Sequence, residues 1–92
     1  MLDPEARLLV LGSREVDLSA LELKLLVHLR RRQGIAVTRE ELLRDVWGHQ
    51  WTGASSNVVE VVVSGLRRKM GDRAAALETV RGVGYRLGPL DR

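Results

Sequence analysis

Asn57-Val58-Val59-Glu60-Val61-Val62-Val63-Ser64-Gly65-Leu66-Arg67-Arg68-Lys69-Met70 is the run on which the fold turns. Five valines crowd its first seven residues, so local propensity alone favours a strand. Periodicity argues for a helix. Val59, Val63, Leu66 and Met70 fall on one face only when the repeat is near 3.6 residues. Asn57 stands where a capping side chain belongs, with Glu60 three places on. Arg67-Arg68-Lys69 ahead of Gly71 makes a basic last turn with a glycine stop. The spacing predicts a helix over residues 57–70.

Downstream, Leu77-Glu78-Thr79-Val80-Arg81-Gly82-Val83-Gly84-Tyr85-Arg86-Leu87 reads as two alternating strands around a tight, glycine-flanked turn. Gly82 and Gly84 are expected to take the positive φ angles of such a turn. Alternation is expected to send Val80, Tyr85 and Leu87 to one face and Arg81 and Arg86 to the other. A basic hairpin behind a helix with a basic end suggests a wing that touches DNA.

Upstream, residues 7–11 and 14–18 flank Gly12-Ser13 and read as a β-hairpin. Ser19 caps the following helix and Glu22 completes a capping box. That helix is expected over 20–33, burying Leu21, Leu25, Leu26 and Leu29 and stopping at Gly34. Arg30, Arg31 and Arg32 sit in its last turn, where they complement the helix dipole and aid solubility rather than meet DNA. Ile35-Ala36-Val37 reads as a short extended link. Thr38 caps a second helix of about ten residues, with Glu41 as box partner, Leu42, Leu43, Val46 and Trp47 as its apolar stripe, and Gly48 as its stop. Residues 49–55, with Gly53 among small polar neighbours, read as an exposed loop.

Ninety-two residues suit a single domain over 1–92. The chain has no cysteine, which excludes disulfides and thiolate metal sites. No apolar run approaches the roughly 18 residues of a membrane span, and the acidic, proline-containing start lacks the form of a signal peptide, so the expected location is cytoplasmic. The net charge of +3 is unevenly placed: residues 1–50 hold eight basic and eight acidic side chains, residues 51–92 seven against four. An excess confined to one half suits a polyanion, because neutralised phosphates release counterions. The plain alternative is an arginine-rich solvated face. Catalysis has no support. His28, read as a partly exposed helix residue, and His49 belong to no metal-spacing motif, no Gly-x-Ser-x-Gly elbow occurs, and Gly82-Val83-Gly84 is too short to cradle phosphate. No catalytic residue, metal, cofactor, membrane or small-molecule substrate is expected.

Four blocks occur in order: Leu18-Ser19, Glu22, Leu25-Leu26 and Leu29; Val37-Thr38-Arg39-Glu40, Leu42-Leu43 and Val46-Trp47-Gly48; Ser56-Asn57-Val58-Val59-Glu60-Val61 through Leu66-Arg67-Arg68-Lys69-Met70; and Thr79 through Leu87. Together they resemble the effector domain of OmpR/PhoB-type response regulators, over residues 8–87. The resemblance implies an α+β winged helix-turn-helix: an N-terminal antiparallel sheet, three helices and a C-terminal β-hairpin wing. It makes the valine-rich helix the recognition helix, placed in the major groove with the wing in the neighbouring minor groove. It further implies promoter DNA with direct repeats, head-to-tail homodimers, and RNA polymerase contact through the loop of His49, Gln50, Trp51, Thr52 and Gly53. Members normally carry a receiver domain with a phosphorylated aspartate. No segment here is one, which suggests an isolated effector or a freestanding regulator.

The candidate DNA-binding residues are Asn57, Val58, Val61, Val62, Gly65, Arg67, Arg68, Thr79 and Arg81. By the resemblance, Arg67 approaches the DNA backbone and Arg81 is the wing arginine, suited to the negative potential of a narrow minor groove. Guanidinium forks match phosphate. Thr79 either donates to a phosphate or simply favours a strand. Trp47 is expected in the core, and Trp51 as a hydrophobe anchoring its loop. Where members often carry Arg, His and Arg, this chain has Asn57, Val62 and Gly65. A face of Val58, Val61, Val62 and Gly65 lacks bidentate donors, each worth roughly 1–3 kcal/mol of base discrimination, so backbone and shape are expected to dominate binding. The same bare face also suits a second reading, a winged helix that docks protein through its third helix.

Overall fold

A computed structural model describes residues 1–48 and 57–90. Strands β1 (Leu2–Asp3), β2 (Leu8–Leu11) and β3 (Arg14–Asp17) form an antiparallel sheet in that order. β2 and β3 are the expected hairpin, with Leu11 opposite Arg14 and Gly12 turning at φ 64°. β1 has no counterpart in the sequence reading, because two residues carry no period; pairing of Leu2 with Leu9 defines it.

Helix α1 (Ala20–Arg31) begins at the foreseen capping box. Ser19 Oγ accepts from the Glu22 N–H at 3.2 Å, and the Glu22 carboxylate accepts from the Ser19 N–H at 2.9 Å. Leu25, Leu26 and Leu29 are buried as expected, whereas Leu21 is only half-buried and Glu22 beside it is 7% exposed. A buried carboxylate is tolerable here because Ser19 and Lys69 saturate it. The helix stops at Arg31, short of the expected Gln33.

The stretch read as a bare link supplies a strand: β4 (Val37–Thr38) pairs with the last strand of the chain. Thr38 then caps helix α2 (Arg39–Leu42), its Oγ1 accepting from the Glu41 N–H at 3.0 Å. The expected box is only half made, since the Glu41 carboxylate is taken by His28 and Arg32. A π-helical turn, Leu43–Trp47, continues α2 to Gly48. Leu42, Val46 and Trp47 are all buried along this stretch.

The valine-rich run is helix α3 (Val58–Met70). Asn57 precedes it without making a side-chain capping bond. Val59, Val63, Leu66 and Met70 are its buried residues, the four that the 3.6 period selected. Helix propensity costs each valine about 0.6 kcal/mol relative to alanine, roughly 3 kcal/mol over five. Fully burying four large apolar side chains is worth about 1.5–3 kcal/mol each. A strand would split these four between opposite faces, so burial outweighs propensity.

After a 3-10 turn (Gly71–Ala76) come β5 (Leu77–Val80) and β6 (Gly84–Leu87), in a second sheet of order β4-β6-β5. Two expectations about this hairpin need correction. Val80 pairs with Gly84, leaving a three-residue turn, so Leu77, Thr79, Tyr85 and Leu87 share a face and Val80 lies on the other. Gly82 turns at φ 76°, but Gly84 does not adopt positive φ. Its requirement is space, because a Cβ there would overlap the Val37 carbonyl of the neighbouring strand.

Candidate nucleic-acid interface

With Val59, Val63, Leu66 and Met70 inward, the opposite stripe of α3 is Asn57, Val61, Ser64 and Arg68, spaced i, i+4, i+7, i+11, and all four are exposed. Val61 is 58% exposed. Val58 and Val62 pack partly against the core instead of standing clear, and Gly65 is half-buried on the flank beside Glu22. The outward face is therefore turned from the all-apolar one expected, and it carries an amide, a hydroxyl and a guanidinium around one valine. Ser64 was missed, although a helical wheel centred on the four buried residues places it there. A protein-docking face of four bare positions is reduced to Val61, which removes its motive.

On the flank of α3 nearer the wing, Arg39 of α2 grips Glu60 in a fork, Nε to Oε2 at 2.8 Å and Nη2 to Oε1 at 3.2 Å. That hydrogen bond is the main reason the Glu60 carboxyl titrates below its ordinary range. Glu60 is thus ionised and matched, and an approaching phosphate meets a neutralised pair. Sequence reading passed over Arg39, whose partner lies 21 residues away. Arg39, Glu60 and residues 79–85 of the wing line one shallow groove.

Arg67 is engaged within the protein. Its guanidinium donates to the Leu77 carbonyl and the Thr79 hydroxyl and lies over the Tyr85 ring. The Thr79 hydroxyl keeps its own proton to donate. Lys69 binds Glu22 and the Asp17 carbonyl, Arg73 binds the Leu90 carbonyl, and Arg86 pairs with Glu78 across the hairpin. Of the basic residues described from Asn57 onward, only Arg68 and Arg81 have side chains with no hydrogen bond or ion pair among the described residues. Both are exposed, Arg68 on the outward stripe and Arg81 in the wing turn.

One metal-capable group appears among the described residues: ligand atoms of His28, Glu41 and Asp45 lie within 4.8 Å of one another. Arg32 already binds Glu41 at 2.6 Å and Arg44 binds Asp45 at 3.0 Å, so the group works as an ion-pair link between α1 and α2. Trp47 is 2% exposed, the core residue expected. The proposed polymerase loop, His49, Gln50, Trp51, Thr52 and Gly53, lies outside the described residues.

Residues 13–87 match the family model described as "Transcriptional regulatory protein, C terminal". The chain belongs to this OmpR/PhoB-type family. AfsQ1 of Streptomyces coelicolor, a transcriptional regulatory protein, is 40% identical over 92 residues, covering 97% of this chain and 40% of AfsQ1. TcrA of Mycobacterium tuberculosis, likewise a transcriptional regulatory protein, is 43% identical over 89 residues, covering 94% of this chain and 34% of TcrA. The chain thus spans well under half the length of these relatives. The DNA-binding domain of RstA from Klebsiella pneumoniae, solved in complex with the RstA box, superposes with a TM-score of 0.79 at 33% identity, covering 96% of this chain and 89% of that one. That of CpxR from E. coli gives 0.77 at 29% identity, covering 97% and 89%. The OmpR/PhoB-type domain here is a transcriptional-regulatory C-terminal domain with the winged helix fold that these DNA-binding domains share. No helix among its described residues is long and apolar enough to cross a membrane.

Proposed function

We propose that this domain binds double-stranded promoter DNA with α3 in the major groove and the β5–β6 wing in the adjacent minor groove, as the effector of a cytoplasmic two-component response regulator. The observation that carries this reading is the pair of guanidiniums with no partner among the described residues, Arg68 on the outward stripe of α3 and Arg81 in the wing turn. Asn57 suits an adenine edge, Val61 a thymine methyl, and Arg68 either a guanine edge or a phosphate. Val58, Val62 and Gly65 then border the groove, and the Thr79 hydroxyl faces the backbone. Arg81 suits the negative potential of a narrow, A·T-rich minor groove. Head-to-tail dimers on direct repeats, and polymerase contact through residues 49–56, complete the proposal on the family resemblance.

Binding to a labelled duplex, measured across salt concentrations, tests it. Log affinity falls steeply with log salt, and Arg68→Ala and Arg81→Ala each reduce that slope by about one while the protein stays folded. Parent-like affinity and slope in both variants would show the interface to lie elsewhere.

A further inference from the structure

Arg67 sits where α3 meets β5. Its Nε and Nη2 both donate to the Leu77 carbonyl, at 2.9 and 2.7 Å, and Nη2 also donates to Thr79 Oγ1 at 2.7 Å. The guanidinium carbon stands 5.8 Å from the centroid of the Tyr85 ring, directly across the hairpin from Thr79. We infer that Arg67 is a positioning residue for DNA binding, setting the span between recognition helix and wing so that Arg68 and Arg81 reach their grooves together. The inference rests on the two-groove reading above.

Leu77 and Thr79 are alternate residues on one face of β5, so the planar fork fixes the direction of the strand as well as one point on it. Arg81 is the first residue of the turn, two after Thr79 and directly after the last residue of β5, so a tilt at the fork carries through to the wing turn. The other strand of the wing is held separately. β6 pairs with β4, and the Arg39 N–H donates to the Val83 carbonyl at 3.4 Å. Releasing Arg67 therefore removes the tie between α3 and β5 while β5 stays paired with β6 and β6 with β4, so the wing shifts relative to α3 without detaching. The competing role is direct phosphate contact through Nη1, the one nitrogen of the fork with no bond among the described residues.

A double-mutant cycle separates the two, read by anisotropy on a fluorescent duplex of about 25 base pairs with an A-tract flanked by random sequence. Arg67→Ala and Arg81→Ala are each expected to weaken binding about tenfold, and the double variant about tenfold as well, because a misplaced wing has no cation left to lose. Loss of folded protein would instead weaken binding in either background. Arg67→Lys keeps the charge without the fork and is expected to bind like Arg67→Ala; it also runs the cycle if the alanine variant does not fold. A double variant weakened about hundredfold, the product of the singles, overturns the inference, as does parent-like binding by Arg67→Lys. Parent-like binding by Arg81→Ala removes the wing contact itself, and so is distinguishable from failure of the positioning role alone.

Discussion

At Gly84 the Val37 carbonyl and the Thr38 Cα occupy the space a side chain needs, and both belong to the backbone, which cannot swing aside. At Gly82 the surroundings are open and only the backbone conformation, φ 76°, favours glycine. The two substitutions to alanine therefore act differently. Gly84→Ala forces β4 and β6 apart and is expected to cost about 3 kcal/mol or more. Gly82→Ala strains one residue, at about 1–2 kcal/mol. Urea unfolding of both variants checks this, and equal losses would mean that β4 does not approach β6 as closely as described. Both glycines were legible as part of a tight turn. The separate demand at Gly84 was not, because it comes from a strand 46 residues earlier that is two residues long.

At the level of elements, α3 tests whether its glycine serves the fold or the ligand. A Cβ on Gly65 would meet only Glu22 Oε2, at an ordinary 3.8 Å. Packing within the chain does not require the glycine, and replacing it in a helix interior gains about 1 kcal/mol. Gly65→Ala is expected to raise the melting temperature by roughly 4–8 °C and to weaken DNA binding by crowding the groove. Calorimetry and a binding titration read the two effects, and a stabilised variant with unchanged affinity would free Gly65 of any role at the DNA. The helix itself was legible because Val59, Val63, Leu66 and Met70 obey a period that a strand cannot satisfy. Its rotation was misjudged because the valines were read by type and by family position, whereas a wheel centred on the four inward residues already sets Val61 opposite them and Val58 and Val62 on the flanks, as the packing bears out. Arg67 shows the same limit. Its type and place suit a phosphate, while the Leu77 carbonyl that holds it is invisible without the turn linking α3 to β5.

Across the whole molecule, charge links stability to pH. Burial pushes the Glu22 carboxyl upward, yet bonds from Lys69 and Ser19 outweigh it and hold it below its ordinary 4.5. Glu60 is held low by its bond to Arg39 and Glu78 by its bond to Arg86, both near the surface where solvent screens the gain. A carboxyl with a lowered folded pKa contributes fully above its unfolded value and loses that contribution as pH falls through the folded one. Urea midpoints are thus expected to hold down to about pH 5 and drop below about pH 4. Glu22→Gln should start lower at neutral pH and lose less on acidification; parallel losses would point to another linked group. The sheet order has a different consequence, in time. β6 is the central strand of its sheet although it is the last strand of the described chain, and it carries Tyr85 and Leu87 into the core. During synthesis, β4 and β5 emerge from the ribosome with no strand between them. Helices α2 and α3 are both made before the sheet that fixes the wing, so a nascent chain stalled short of Gly84 holds α3 without its wing.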